Sequence, residues 1–220
     1  MIKYLNKIIC WDSLGVMKQL PDNSVDLVLT DPPYWIHNKI KTSWKLNKWN
    51  MFATKYMENQ WDKERPQKEY FYELIRISKN QIIFWWNYFA DLLPPSRWWI
   101  IWDKMWEWMT SVNDELAWTS FDKAIVKFKR CHWLDKWFMV KGKLDAGQHP
   151  TQKPKELFKW CLENYSKEWD IILDCFWWSW TTAVACIETN RKYILIEKEK
   201  KYCDIAEKRV KNTNSPLFTI

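Results

Sequence analysis

The sequence predicts an α/β domain with a doubly wound, mostly parallel sheet. Two observations support this prediction: the chain opens with a strand, a short helix and a second strand, and its last third has the order strand, loop, helix, strand. Short apolar runs bounded by turn residues indicate buried strands, and their alternation with helices is typical of layered α/β domains. The 220 residues are enough for one such domain with its own core.

The predicted elements follow from apolar spacing and from turn and cap residues. Strands are expected at 3–10, 25–29, 81–84, 99–102, 171–173 and 193–196, and helices at 13–20, 66–78, 87–93, 155–165, 181–190 and 200–211. Ser13 is expected to cap the first helix. Two further strand candidates, 115–119 and 124–128, lie close enough in sequence to be antiparallel neighbours.

Composition limits the classes of function. Lys and Arg exceed Asp and Glu by seven (34 minus 27), which favours a polyanionic partner. The amino terminus lacks an apolar signal core and no stretch approaches the ~18 apolar residues of a membrane span, so we expect a soluble cytoplasmic protein. The six cysteines form no CxxC pair, which argues against a zinc site.

The stretch Asp31-Pro32-Pro33-Tyr34 follows the apolar run 25–29. Because proline cannot donate to a sheet ladder, the chain leaves the sheet here, at a strand's carboxyl end, where ligands bind in open α/β sheets. The Asp31 carboxylate and the Pro32 carbonyl can accept hydrogen bonds from a flat, amino-bearing group, and the Tyr34 ring offers a stacking face. Taken alone, the motif also fits a Pro-Pro turn capped by Asp31.

Asp174 and Glu197 each follow a predicted strand in the last third and lie about 23 residues apart. This spacing is typical of a nucleoside-binding half-sheet, in which the second acid takes the ribose hydroxyls and the first loop contacts the ligand. A plain βαβ unit without a ligand is the alternative.

These motifs together resemble those of the DNA amino-methyltransferases, which modify adenine N6 or cytosine N4 with S-adenosylmethionine. The resemblance is to the permuted group, whose catalytic motif precedes its cofactor motif. Residues 31–34 resemble the catalytic motif, and residues 149–154 (HPTQKP) resemble the motif that leads into the cofactor half. The resemblance spans about residues 8–210 and implies a Rossmann-like methyltransferase sheet with an antiparallel strand and helices on both faces.

The resemblance also implies roles for the motif residues. Asp31 and the Pro32 carbonyl, with Pro33 completing the motif, would accept from the amine of a flipped-out base stacked on Tyr34, without a metal or a covalent nucleophile. Asp rather than Ser at position 31 favours adenine N6. The implied cofactor-binding residues are Asp12 at the adenine, Glu197 at the ribose, and Thr151, Lys153, Asp174, Phe176, Trp178, Ser179, Trp180 and Thr181.

The implied partner is double-stranded DNA, in a restriction–modification setting, with no membrane contact and with a homodimer as the candidate assembly. We expect a single domain over residues 1–220. Its basic insertions at about 35–60 and 104–146 are the expected DNA-recognition parts.

Tryptophan is abundant and glycine scarce, with 20 Trp against 3 Gly. An ordinary chain of this length would have roughly 15 glycines. In the cofactor loop, Trp178 and Trp180 stand where the resembled family has glycine, and their indoles are expected to obstruct the methionine end of the cofactor. We hypothesise that many glycines have been replaced by tryptophan; a natural tryptophan-rich relative is the alternative.

Other functions stay open at this point. A cytosine-N4 methyltransferase, or an RNA or protein amide methyltransferase, would share the fold. A basic, tryptophan-rich nucleic-acid-binding protein without catalysis would stack unpaired bases on exposed indoles.

Overall fold

The computed structural model describes residues 2–33, 65–105, 114–130, 153–176 and 181–211. Within these ranges, eight strands form one sheet in the order β1-β8-β7-β2-β3-β5-β4-β6. The strands are β1 Lys7–Cys10, β2 Val25–Thr30, β3 Ser78–Phe84, β4 Trp99–Asp103, β5 Asp114–Thr119, β6 Val126–Lys129, β7 Ile171–Asp174 and β8 Lys192–Glu197. The helices are α1 Ser13–Met17, α2 Lys68–Ile77, α3 Lys155–Tyr165, α4 Thr181–Glu188 and α5 Lys200–Lys211.

Strand direction confirms the predicted doubly wound α/β sheet. β5 runs antiparallel to its neighbours β3 and β4, while every other pair of neighbouring strands is parallel. Every described strand except β5 therefore ends at the same edge of the sheet, which we call the carboxyl edge. β5 begins at that edge, where Asp114 pairs with Asp103 at the end of β4.

The central strands are buried on both faces, because helices cover the sheet on both sides. All but one residue of β2 and all but one of β8 are buried, as expected for parallel strands with near-continuous apolar sequences. α1 packs against α2, α3 packs against α4, and α5 lies along β1 and β8. Phe71, Leu74 and Ile77 of α2 point into the core at helical spacing.

The sheet reverses its winding between β7 and β2. From β2 the chain continues to β3 on one side, and from β7 it continues to β8 on the other. The crevice at the carboxyl ends of two such strands is the usual ligand site of open α/β sheets. The residues that follow β2 and β7 therefore occupy the position where a ligand is expected.

Several element predictions need correction. β5 and β6 are not neighbours, because β4 lies between them and pairs with both; the connection 120–125 is long enough to cross one strand, a distance of ~10 Å. The predicted helix 87–93 is only a 3-10 turn at Trp86–Tyr88 followed by bends, since so short a segment ahead of two prolines cannot sustain an α-helix.

The amino-terminal region also differs from the prediction. The strand begins at Lys7 rather than at residue 3, because Asn6 adopts a left-handed φ of 55° that interrupts it. Asp12, not Ser13, caps α1, and its carboxylate accepts a hydrogen bond from the Gly15 backbone N–H at 2.9 Å. Both residue types are good caps, so sequence alone does not distinguish them.

Two of the described tryptophans adopt glycine-like backbone conformations. Trp85 has φ 57° and Trp169 has φ 69°, whereas Trp98 is not among the described residues with positive φ. Bulky side chains rarely occupy this region, because the Cβ approaches the following carbonyl oxygen. In contrast, Trp102 and Trp118 are 2% exposed and belong to the core.

No helix in the described ranges is long and apolar enough to cross a membrane. The cysteines in these ranges are all free: Cys10, Cys161, Cys175, Cys186 and Cys203.

Candidate active site

The carboxyl edge collects acidic and basic side chains from most of the strands. Asp31 follows β2, Lys104 follows β4, and Asp174 and Glu197 end β7 and β8. Glu115 reaches the same edge because β5 runs in the opposite direction and begins there. These five side chains are all largely or fully buried.

Asp31 is buried, and only one of its two carboxylate oxygens has a hydrogen-bond partner among the described residues. The Lys153 ammonium donates to Oδ2 at 2.7 Å. Oδ1 is buried and has no hydrogen-bond partner among the described residues. Burial raises the pKa of Asp31 to about 6, although Lys153 partly counteracts this effect. Pro32 beside it is buried and Pro33 is half-buried, so Asp31 presents an acceptor in a water-poor environment.

Lys153 joins Asp31 to a second buried acid. Its ammonium lies 3.1 Å from Glu115 Oε2, and the other Glu115 oxygen lies 2.5 Å from the Lys104 ammonium. Burial alone would raise the pKa of Glu115, but the two lysines outweigh it and hold that pKa below its ordinary value. Burial likewise would lower the pKa of Lys153, but Asp31 and Glu115 raise it instead. Glu115 and Lys153 are therefore both held in their charged forms, next to Asp31 and Lys104.

Asp174 ties the two halves of the sheet together. Thr30 of β2 donates to Oδ1 at 2.7 Å, and Thr182 of α4 donates to Oδ2 at 2.6 Å. The Phe176 backbone N–H makes a longer contact to Oδ1, at 3.4 Å. Burial raises the pKa of Asp174 to about 7, against the effect of the two threonine hydrogen bonds. The carboxylate therefore orders the start of the loop that follows β7.

Glu197 is the last residue of β8. Its Oε1 accepts from the Glu199 backbone N–H at 2.7 Å. The residue is 8% exposed, and burial raises its pKa to about 7. Glu197 thus places a buried carboxylate at the end of the strand next to β7.

Asp12 and Phe176 are connected through α2. The Tyr70 hydroxyl donates to Asp12 Oδ1 at 2.8 Å, while Oδ2 caps α1. The Tyr70 and Phe176 rings lie 5.4 Å apart, centroid to centroid. The structure therefore brings these two predicted cofactor residues onto one tyrosine, at the same edge as Glu197.

The remaining predicted site residues are only partly described. Thr181 is fully buried, and its hydroxyl donates to the Lys153 carbonyl at 3.3 Å. The rest lie outside the described residues: Tyr34, Thr151, Trp178, Ser179 and Trp180. Lys153, which the resemblance implies as a cofactor residue, has its ammonium on Asp31 and Glu115.

Sequence reasoning missed Lys104, Glu115 and Tyr70. Lys104 carried a signal, since it follows a predicted strand at the end that binds ligands. Glu115 lies at this edge because β5 runs antiparallel to β3 and β4. The sequence predicted antiparallel pairing only between 115–119 and 124–128, so it did not place Glu115 there. Tyr70 carried no signal, because its spacing on α2 marks it as a core residue.

The described residues contain no metal-binding cluster, and a separate cavity lies away from the carboxyl edge. The described ranges hold no cluster of three or more His, Cys, Asp or Glu residues that could bind a metal ion. A cavity of about 740 Å³ lies near the opposite edge, lined by residues such as Gln81, Pro94, Trp98 and Thr119. It is open and has no ionised pair comparable to Asp31 and Lys153.

Comparisons with known proteins find similarity to DNA methyltransferases. A family model described as DNA methylase matches residues 103–208. The type II methyltransferase M.HinfI of Haemophilus influenzae is 28% identical, over 94% of this chain and 69% of its own length.

Two solved structures share the fold. The complex of M1.HpyAVI with SAM has a TM-score of 0.55 and 22% identity, over 93% of this chain and 98% of that one. The cytosine-N4-specific PvuII DNA methyltransferase has a TM-score of 0.57 and 14% identity, over 94% of this chain and 90% of that one.

Proposed function

This chain is a homologue of the DNA amino-methyltransferases, and on that premise we propose that it transfers a methyl group from S-adenosylmethionine to the N6 amino group of adenine in DNA. The observation that carries the proposal is Asp31 Oδ1, a buried acceptor without a partner in the described residues, at the switch point of the sheet. A buried carboxylate oxygen left unbound is unfavourable unless a ligand donates to it.

Asp31 supports the reaction by positioning the amine. Its Oδ1 accepts one N–H of the exocyclic amine, and the Pro32 carbonyl accepts the other, so that the nitrogen lone pair points toward the methyl donor. Tyr34 supplies the stacking surface for the flipped base. Since the acceptor must be ionised, we expect activity to rise with pH through about 6, the pKa of Asp31.

The described residues fit S-adenosylmethionine at its nucleoside end. The Glu197 carboxylate is an acceptor for ribose hydroxyls, and Asp12 lies at the end of β1, next to β8. Asp174 and Phe176 shape the loop that would lie along the ligand. When bound, the cofactor supplies an electrophilic methyl group on a sulfonium sulfur.

We infer that Trp178 and Trp180 hinder the methionine end of the cofactor, because glycine at such positions allows the backbone to approach the ligand. The chain should then bind S-adenosylmethionine more weakly than a version with Trp178→Gly and Trp180→Gly. Isothermal titration of both proteins measures the difference, and equal dissociation constants would show that the indoles do not obstruct the site.

We also propose that the basic insertions, 35–60 and 104–146, contact DNA within a single domain. The net charge of +7 supports this assignment. The described part of the second insertion contributes β5 and β6 to the sheet, so the DNA contacts would come from the segments around these strands.

The decisive experiment is methyl transfer from labelled S-adenosylmethionine to unmethylated bacterial genomic DNA. Nucleosides from the digested product are separated by chromatography and identified by mass. We expect N6-methyl-2′-deoxyadenosine from the chain with Gly at positions 178 and 180, and no product from its Asp31→Ala variant.

Asp22→Asn is the matched control, since Asp22 precedes the other end of β2 and is exposed. It should retain full activity. If N4-methylcytosine is the product, the substrate base is cytosine rather than adenine. Fluorescence quenching by single-stranded DNA without any methyl transfer would instead support a non-catalytic nucleic-acid-binding protein.

A further inference from the structure

We propose that Lys153, Glu115 and Lys104 form a positioning chain, in which Lys153 favours the ionised form of Asp31 and holds its Oδ1 toward the substrate amine, while Glu115 and Lys104 hold Lys153 in place. This inference rests on the proposed function, because it assigns three further residues to the same site. None of the three needs to touch the substrate; each acts through Asp31.

Acidic and basic side chains alternate along this positioning chain. Asp31 Oδ2 lies 2.7 Å from the Lys153 ammonium, which lies 3.1 Å from Glu115, which in turn lies 2.5 Å from Lys104. Two acids and two bases leave this group neutral overall. A neutral, hydrogen-bonded group can stay charged inside a protein, whereas an isolated buried carboxylate becomes protonated instead.

Aromatic rings surround both ammonium groups. The Lys153 ammonium lies 5.4 Å from the centroids of Phe84 and Trp85, and the Lys104 ammonium lies 5.0 Å from that of Trp102. These rings exclude water and lower the local dielectric constant, so the attraction between neighbouring charges is stronger than at a surface.

The backbone of Lys153 is also fixed. Its carbonyl accepts from the Thr181 hydroxyl at the first residue of α4, and Pro154 caps α3 directly after it. Because the ammonium holds Oδ2, rotation of the Asp31 carboxylate is restricted and Oδ1 is the oxygen left for a ligand. Lys153 therefore orients the Asp31 carboxylate as well as affecting its charge.

Four charged groups act on Asp31: Lys153, Glu115, Lys104 and, across the switch point, Asp174. Replacing Lys153 by Met removes the nearest cation, so Asp31 should hold its proton to higher pH. Replacing Glu115 by Gln removes a negative charge that disfavours ionisation of Asp31, so Asp31 should lose its proton at lower pH. The two variants thus shift the same titration in opposite directions.

The experiment measures the Asp31 titration in two ways. Carboxylate carbon NMR of protein labelled at aspartate, with Asp31→Asn to assign the signal, gives the midpoint without any need for activity. The pH dependence of methyl transfer gives the acidic limb of the rate. For Lys153→Met we expect both to move up by about 1–3 pH units, as for loss of an opposite charge within ~4–6 Å.

We expect Glu115→Gln to move both midpoints down, and Lys153→Arg, which keeps the cation, to leave the limb near that of the parent. Lys155→Met is the matched control, because Lys155 lies two residues further along, pairs with Glu188 and does not contact Asp31. Its titration should equal that of the parent.

The NMR titration tests the positioning chain, and the methyl-transfer assay tests the proposed function, so the two can fail separately. Unchanged midpoints in Lys153→Met and Glu115→Gln, or shifts in the same direction, would overturn the positioning chain whatever the activity. If Lys153→Met does not fold, Glu115→Gln decides by the direction of its shift alone. Opposite NMR shifts without methyl transfer by any version would support the chain of charges and refute the proposed function.

Discussion

Replacing Glu197 by Gln tests the proposed ribose-binding role of this acid, and the expected effect can be worked out from the structure. Gln keeps the size of the side chain and the Oε1 that accepts from the Glu199 N–H. It removes only the ability to ionise. The pKa of Glu197 lies at about 7 in the folded protein against an ordinary value of 4.5, chiefly because the side chain is buried.

The direction in which pH changes the free energy of unfolding follows from proton binding. Between pH 4.5 and 7 the folded state keeps a proton on Glu197 that the unfolded state releases, so the free energy of unfolding falls as pH rises through this window. From the two pKa values, the loss between pH 5 and pH 8 is about 2 to 3 kcal/mol. Glu197→Gln should avoid this loss. Its free energy of unfolding should be near that of the parent at pH 5 and higher by up to this amount at pH 8.

Urea denaturation at pH 5 and pH 8 measures the difference, with Glu163→Gln on the exposed face of α3 as the matched control. The control should show the same pH dependence as the parent. If Glu197→Gln shows it too, the carboxylate is not disfavoured by burial. The same substitution should weaken S-adenosylmethionine binding about tenfold, since ribose hydroxyls lose an ionised acceptor.

Three further predictions concern stability. Trp169→Gly relieves a positive φ at an exposed side chain and should stabilise the protein by about 0.5–1 kcal/mol in urea denaturation, after the added freedom of the unfolded chain is subtracted. Trp169→Ala keeps the Cβ and should be less stable than the glycine variant; the reverse order would show that the backbone there is not strained. Trp85→Gly should instead destabilise by about 2 kcal/mol or more, because the buried indole packs against Lys153 and its loss leaves a cavity; a gain in melting temperature would contradict this packing. Thr30→Val removes the hydrogen bond to Asp174 and should lower the free energy of unfolding by about 1.5–3 kcal/mol at pH 8. At pH 5 the loss should be smaller, since Asp174, with a pKa of about 7, is then protonated; equal losses at both pH values would argue against that pKa.

The sequence predicted the fold well where strands are buried on both faces. Runs such as 25–29 and 193–196 have near-continuous apolar residues, and the helices at 155–165 and 200–211 have clear amphipathic spacing, so their placement needed no tertiary information. The order of strands did require it. Insertion of β5 between β3 and β4 depends on pairing partners that no local pattern records.

The candidate site was predictable only in part, for a similar reason. Asp31, Asp174 and Glu197 each follow an apolar run, so their position at the carboxyl edge could be inferred. The partner of Asp31 could not, because Lys153 precedes a helix and lies 122 residues away in sequence. The hydrogen bonding of the Asp12 carboxylate could not be predicted either, because the Tyr70 hydroxyl that donates to it belongs to another element. Homodimer formation, DNA recognition by the insertions and the cytoplasmic location stay predictions.

The ion pair between Lys104 and Glu115 has a consequence for how this protein can vary. These two residues flank the connection between β4 and β5, and the pair closes the base of that connection beside Asp31. Because the base is fixed by a buried ion pair and by strand pairing, the residues in between can change in sequence and in length at little entropic cost and without moving Asp31. If this connection contacts DNA, as proposed, its sequence can change the specificity without altering the position of Asp31 at its base.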